Sequence, residues 1–380
     1  MKKIHRNRIQ SLVLAIALSV GLGFGFSTYA FAKGTHSYIV DLNSKTVTDL
    51  GTLGGSPGYA SAINDAGQVV GQLTTAAGYS HAFITGPNGV GMTDLGTLGG
   101  KHYSQAFGIN AAGQVTGAYD PTEGTFHAFI TGPNGVGKTD LGSLSGFSSF
   151  ATSINAAGQV AGFSEAAPKS DFHAFITGPN GVGMTDLGTL GGVLSQAYGV
   201  NASGQVVGVS ETAAGDFHAF ITAPNGVGMT ELGTLEGGHF SQAYGINASG
   251  QVTGRFDTAT GDVHAFITGP NGVGMTDLGT LGADFSAASG INDAGQVVGQ
   301  FHTVGGASHA FITGPNGVGM TDINSLVSVP GGDILTSAMA INSHGQVVVL
   351  GSVVPEPETY ALLLAGLGLI GAMARRRKLA

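Results

Sequence analysis

A block of twenty residues, His81-Ala82-Phe83-Ile84-Thr85-Gly86-Pro87-Asn88-Gly89-Val90-Gly91-Met92-Thr93-Asp94-Leu95-Gly96-Thr97-Leu98-Gly99-Gly100, recurs with few changes from His127, His173, His218, His264 and His309. A diverged copy runs from His36 to Leu53, so seven histidines stand 45 or 46 residues apart. Between copies lies a second block, Ile63-Asn64-Asp65-Ala66-Gly67-Gln68-Val69, which returns at Ile109, Ile154, Val200, Ile246, Ile291 and Ile341. A fixed period of this length marks a propeller, a solenoid or a repeat array.

Each period reads as four short strands. In one of them, Ser104–Ile109 is the first strand and Asn110–Gly113 a turn in which Asn and Gly supply positive φ. Gln114–Tyr119 is the second strand and His127–Thr131 the third. Gly132-Pro133-Asn134-Gly135 is a turn built on Asn-Gly, a strong hairpin signal, and Gly137–Leu144 is the fourth strand. No segment of the array sustains a 3.6-residue apolar period, so no helix is expected there. Four strands per roughly 40–45 residues make one propeller blade.

The array begins with the third and fourth strands of a unit, His36–Leu53, and ends with the first and second, Ala338–Leu350. Six whole units and two complementary halves predict an all-β, seven-bladed propeller closed by its own ends, which removes two exposed strand edges. The alternative is a β-solenoid, which would need polar caps.

Composition fits an ordered chain. Glycine is frequent, 67 of 380 residues, but sits at fixed repeat positions as turn residues do. With no cysteine, neither disulfides nor thiolate metal sites are available. Eight of the 14 Lys and Arg lie at the termini, leaving six between Lys33 and Ala374 against all 23 acids, a net of −17. That acidic body argues against a nucleic-acid partner, which requires a basic footprint.

Both ends depart from the repeat. Residues 1–32 have a basic start (Lys2, Lys3, Arg6, Arg8), an apolar run from Leu12 to Phe26 and the small-x-small triplet Ala30-Phe31-Ala32. They read as a secretory signal peptide cleaved between Ala32 and Lys33. After residues 33–351, the array, comes a tail at 352–380. It contains Val354-Pro355-Glu356-Pro357, the uncharged run Tyr360–Ala374, and Arg375-Arg376-Arg377-Lys378. As a helix of ~1.5 Å per residue the run is about 22 Å long, short for a bilayer core of ~30 Å. The Arg cluster would stay cytoplasmic. The expected end elements are thus an N-terminal signal helix and a C-terminal hydrophobic helix.

The tail resembles the PEP-CTERM sorting signal of Gram-negative bacteria, through Val354-Pro355-Glu356-Pro357, the apolar run and the Arg cluster in that order. The resemblance implies the export machinery and an exosortase as partners, and a transient inner-membrane anchor. It then implies release to the cell surface or extracellular matrix, in association with exopolysaccharide and biofilm. The array resembles the HAF-family extracellular repeats through His-Ala-Phe, Thr-Asp-Leu-Gly-Thr-Leu-Gly-Gly and Ile-Asn-x-x-Gly-Gln-Val. That family brings no established activity.

One constellation invites a chemical reading: a histidine with an acid 13 residues later in every unit. The pairs are His36 with Asp49, His81 with Asp94, His127 with Asp140, His173 with Asp186, His218 with Glu231, His264 with Asp277 and His309 with Asp322. A hairpin centred between Pro87 and Asn88 would put His81 opposite Asp94. One centred on Asn88-Gly89 would put Phe83 opposite Asp94 and His81 diagonal to it. Both place His and acid on one face of the sheet. Catalysis or metal binding needs a differentiated site, and seven equal copies favour buried structural pairs that fix each hairpin. Asp65 and Asp293 beside Asn suggest calcium, but other units carry Ala there. His102, His239, His302 and His344 fall outside the period and read as surface or turn residues.

The expected protein is therefore a monomeric, exported, non-enzymatic scaffold with no cofactor, no metal and no catalytic residue. The alternative is a propeller-type hydrolase or lyase acting on polysaccharide. That would need two singular carboxylates about 5–9.5 Å apart, drawn from Glu123, Glu165, Asp171, Glu211, Asp216, Asp257 and Asp262.

Overall fold

The two ends of the array meet in one sheet. In the computed structural model, β1 (Thr35–Asp41) pairs antiparallel with β28 (Gln346–Ser352) from Thr35↔Ser352 to Asp41↔Gln346. With β2 (Thr46–Asp49) and β27 (Ile334–Ile341) they form a four-stranded sheet of order β2-β1-β28-β27. Six further four-stranded antiparallel sheets are each built from consecutive strands. They are β3–β6 (residues 59–96), β7–β10 (104–142), β11–β14 (149–186), β15–β18 (191–233), β19–β22 (241–279) and β23–β26 (286–322). The first strands neighbour one another around the inside of the ring, β3 by β7 and β27 by β3. The protein is a seven-bladed propeller of four-stranded blades, closed between its N- and C-terminal strands.

The structure describes residues 35–352 except 53–57, 100–102, 123, 146, 167–170 and 236. The expected signal helix, its cleavage point at Ala32 and Lys33, the sorting residues 354–357 and the C-terminal apolar helix lie outside the described residues, as do His102 and Glu123. Among the described residues, no helix is long and apolar enough to cross a membrane.

The core is a set of slabs between blades. Ala128 and Ile130 of one blade pack against Ala151, Ile154, Val160 and Phe175 of the next. Second strands are therefore covered on both faces: every residue of β8 (Val115–Tyr119) is buried. Fourth strands form the outer rim, and β10 (Lys138–Gly142) has no buried residue. The phenylalanine of each His-Ala-Phe, such as Phe129, is wholly buried, a gain of ~1.5–3 kcal/mol per ring. Room for it comes from a glycine opposite. A Cβ on Gly117 would sit 2.8 Å from the Phe129 ring and 1.9 Å from the Gln105 carbonyl, where a register shift interrupts the first strand between Ala106 and Gly108. Such bulges bend a strand locally.

The turns on one face tie the blades into a ring. Asn110 Oδ1 accepts from the Ala112 and Gln114 N–H groups, and Nδ2 donates to Gln114 Oε1. Nδ2 also donates to the Asn155 carbonyl of the next blade at 3.1 Å. The same link runs Asn64 to Asn110, Asn155 to Asn201, Asn201 to Asn247, Asn247 to Asn292 and Asn292 to Asn342. It closes with Asn342 donating to the Asn64 carbonyl at 3.1 Å. A second set reaches one turn further out: Gln159 donates to Asn225 Oδ1 and, across the seam, Gln346 to Asn88 Oδ1.

The Pro-Asn-Gly turn is wider than a two-residue hairpin. Thr85 and Met92 are the last paired residues, with six between them. Asn88 adopts φ 53°, and the Asn88 and Gly89 N–H groups donate to Ala66 and Gly67. The turn thus lies against the Asn64 turn of its own blade, and the Asn-Gly is spent on that contact as much as on reversing the chain.

The seam lies between β1 and β28; β2 is the outermost strand of that blade and is one strand removed from β28. Because Thr35 pairs with Ser352, both ends of the ring emerge on the edge that carries the variable loops, opposite the Asn turns. The chain has no cysteine, so a double variant, Thr35→Cys with Ser352→Cys, should form one intramolecular disulfide across the seam, within the ~7 Å Cα limit for bridging. Non-reducing electrophoresis should show a monomer of altered mobility. A linear monomer or a covalent dimer would contradict this closure.

Candidate functional site

The histidines open the third strands and the acids close the fourth, on the outer half of each blade. Pairing is Phe83↔Asp94, with Ala82 opposite Gly96 after a register shift, so His81 is diagonal to its acid. His81 Nδ1 lies 2.8 Å from the Asp94 carboxylate. The same 2.8 Å separates His127 from Asp140, His173 from Asp186 and His264 from Asp277. His309 Nδ1 lies 2.7 Å from Asp322, and His218 and Glu231 are in close contact. The aspartates also cap their own strand ends: Asp94, Asp140, Asp186 and Asp277 accept from the N–H two residues on.

Three features depart from the expectation of seven equal, buried pairs. The first is exposure. His81 with Asp94, His127 with Asp140, His173 with Asp186, His218 with Glu231, His264 with Asp277 and His309 with Asp322 are not buried. Their histidine side chains are 16–24% exposed and their acids 26–45%, because rim strands keep one face in water.

The second departure is at Asp322, whose fourth strand, β26 (Met320–Asp322), is only three residues long. Where most other copies continue Leu-Gly, this one continues Ile323-Asn324. Asp322 therefore caps a short 3-10 turn, Ile323–Ser325, accepting from the Asn324 N–H at 2.8 Å and from Asn324 Nδ2 at 2.9 Å. Asp322 thus holds the start of the link into β27 as well as His309, and its side chain is the least exposed of the six acids, at 26%.

The third departure is the seventh pair, which is remade. His36 lies 3.9 Å from Asp49 but 3.5 Å from Asp333, which accepts a 2.7 Å hydrogen bond from the Tyr38 hydroxyl. Tyr38 stands where the other copies have the phenylalanine.

One pair has a third member. Asp140 also accepts from the Tyr119 hydroxyl at 2.9 Å. Burial pushes the Asp140 carboxyl up, but hydrogen bonds from His127, the Gly142 N–H and Tyr119 outweigh it and leave it below the ordinary 3.8. Burial and the bond to Asp140 push the Tyr119 hydroxyl up. The same blade carries a misfit. Where five copies have Met, this one has Lys138. Its ammonium donates to the Gly96 carbonyl of the preceding blade and lies 4.6 Å from the Phe129 ring centroid. Burial lowers it from 10.5 to about 8, against a smaller upward pull from Asp94.

The loop acids hold backbone. Asp120, Glu165, Glu211 and Asp257 occupy one position, at or just past the end of the second strand. Asp120 accepts from the Tyr103 N–H, Glu211 from Val193, and Asp257 from His239 and Phe240. Glu165 is buried; burial raises its carboxyl, offset in part by the Ser148 N–H. Asp262 accepts from Thr260 Oγ1, and Asp171 and Asp216 lie in the loops between second and third strands. Asp65 and Asp293 accept from the neighbouring turns at Ser343 and Ala248. His239 and His344 are exposed, while His302 stacks on Phe285 at 4.6 Å. Among the described residues no group of three or more His, Asp or Glu could hold a metal ion.

The polar residues that bind blade to blade, Asn64 and Gln68 and their repeats, read in the sequence only as turn chemistry. Their recurrence in all seven units was the available signal, since turn chemistry alone does not require a glutamine.

Propellers of this kind occur in proteins of unrelated activity. The chain is similar in structure to a prolyl endopeptidase (TM-score 0.54, 12% identity, covering 73% of this chain and 44% of that one). It is also similar to puromycin hydrolase (0.52, 13%, covering 79% and 51%), and to TolB from Acinetobacter baumannii (0.49, 12%, covering 75% and 64%). The chain spans about half the length of the first two, and these likenesses show the fold alone. No curated protein sequence matches it. Residues 353–378 match the PEP-CTERM protein-sorting motif. The chain is thus a seven-bladed propeller carrying a PEP-CTERM motif directly after its closing strand, a motif that implies export and processing by an exosortase.

Three outcomes follow from this geometry. Half-exposed pairs contribute little, so His173→Ala should cost about 0.5–1 kcal/mol in chemical denaturation. The depressed Asp140 carboxyl adds stability that is complete above the ordinary value of 3.8 and is lost as pH falls through its lower folded value. Tyr119→Phe should reduce that acid-side loss in a pH series of melting curves. Lys138→Met should stabilise by on the order of 1 kcal/mol. It should also abolish a rise in stability between about pH 8 and 10.5, where the folded state has released a proton that the unfolded chain still holds.

Proposed function

We propose that this protein is a non-enzymatic scaffold of the cell surface or extracellular matrix, a propeller of HAF-type repeats that stands among exopolysaccharide. The observation that carries the reading is the sorting motif at 353–378, which begins one residue after the strand that closes the ring. In this reading residues 1–32 direct export, the C-terminal apolar run holds the protein in the inner membrane, and an exosortase cuts near Pro355–Glu358. The finished ring is then released as a monomer. The repeated pairs support the scaffold role: each His–acid contact joins two strands of one hairpin, and the loop acids mostly hold neighbouring backbone. No observation favours the hydrolase or lyase alternative.

Mass spectrometry of the protein recovered from the cell surface tests this. The expected product begins at Lys33 and ends between residues 355 and 358. A surface form that still carries Arg375–Lys378 would argue against processing. Failure to bind any carbohydrate on a glycan array would sink the matrix role.

A further inference from the structure

Seven-fold repetition makes the exceptions informative, and one lies on the inner wall between two blades. Arg255, in β20 (Val252–Asp257), is the sole arginine between residues 9 and 374. The equivalent positions of the other blades hold Gln72, Ala118, Phe163, Val209, Gln300 and Leu350, none of them charged. Arg255 is half-buried and pairs in register with Gln242 of β19 (Ser241–Ile246). Its Nη2 donates to Gln242 Oε1 at 3.1 Å, and the same oxygen accepts from the Tyr244 hydroxyl at 2.7 Å. The guanidinium carbon lies 5.4 Å from the Phe240 ring centroid and 5.9 Å from that of Tyr244. Tyr198, from the inner strand of the preceding blade, stands 5.5 Å from Tyr244 and donates to Gln196 Oε1.

What this arrangement lacks is an anion. Among the described residues Arg255 forms no ion pair, and its buried Nε–H donates to nothing. A partly desolvated charge is costly when unpaired, and contact with two ring faces recovers only ~0.5–2 kcal/mol. The chain carries 23 acids, yet the nearby Asp257 is turned to the His239 and Phe240 N–H groups instead. A planar guanidinium with open donors matches a carboxylate held by two parallel hydrogen bonds. The neutral amides and phenols around it suit sugar hydroxyls, and a phenol ring offers an apolar face with a polar tip. Burial keeps the Tyr244 hydroxyl protonated, pushed up to about 12 despite the pull of Arg255.

We propose that Arg255, with Gln242, Tyr244 and Tyr198, forms a site on the inner wall of the propeller that binds the carboxylate of an acidic sugar. The choice of a sugar rests on the matrix-scaffold reading; the carboxylate rests on Arg255 alone.

The test uses the purified full-length protein and an oligomer of 1,4-linked uronic acids, with the same oligomer reduced at its carboxyls as the neutral control. Titration calorimetry should show binding of the acidic oligomer, at least tenfold weaker binding in Arg255→Gln, an intermediate value in Arg255→Lys, and none of the reduced oligomer. Equal affinity in wild type and Arg255→Gln, or equal binding of the reduced oligomer, would overturn the site while leaving a glycan-binding scaffold intact. A second measurement needs no variant. Phenylglyoxal labelling of Arg255, read by peptide mass spectrometry, should be suppressed in wild type by the acidic oligomer and not by the reduced one. Labelling unaffected by the acidic oligomer would also overturn the site, and protection by acetate alone would keep the carboxylate site and refute the sugar.

Discussion

One hydrogen bond, repeated around a circle, holds this fold together: the asparagine that ends each first strand donates to the backbone carbonyl of the corresponding asparagine in the next blade. Each such side chain is shut away from solvent, so its donors and acceptors must be met inside the protein or cost ~1–3 kcal/mol apiece. Its other bonds shape its own turn. Turn geometry and ring geometry are therefore set by the same atoms, and a blade cannot tilt without breaking its neighbour's turn. The apolar slabs supply most of the burial, but slabs of valine, alanine and phenylalanine would tolerate sliding; directed bonds to fixed carbonyls do not.

The seam shows how the repeat adjusts where it is interrupted. In the inner blades a serine of one blade bridges to its predecessor, as Ser104 does by accepting from Ala82 N–H and donating to the Gly96 carbonyl. At the junction after the closing blade the serine's place is taken by Gly58, and Ser37 supplies the hydroxyl from the other side, donating to the Gly58 carbonyl and accepting from Ala60 N–H. Tyr38 similarly replaces a phenylalanine and draws His36 and Asp333 together. The diverged copy keeps the hydrogen-bond pattern while changing which residue provides it.

Most of the architecture was legible in the sequence, because strand alternation and the two half-units are local patterns. Ser104–Ile109 and His127–Thr131 are strands with the bounds their sequence suggests. Of the two hairpin registers, the one centred on Asn88-Gly89 is the one formed. What a linear reading could not supply are contacts that span a blade boundary. Nothing near Asn64 announces that its partner is the carbonyl of Asn110, and nothing near Arg255 announces Tyr198. The exposure of the His–acid pairs, from His81 and Asp94 round to His309 and Asp322, was missed for a related reason. Whether a strand face is covered depends on its place in the sheet, inner or rim, which residue alternation does not encode.

The position of β28 gives the joint a mechanical character. This strand ends at Ser352, where the segment bearing the sorting motif begins, and it is flanked by β1 on one side and β27 on the other. Antiparallel ladder bonds run across the strand direction. A load drawn along β28 from its end therefore shears both ladders at once and does not peel them bond by bond. The strand that completes the ring by joining the far ends of the chain is thus the one best placed to bear tension, and a ring hung from that end would present its variable loops toward the point of attachment and its asparagine turns away from it.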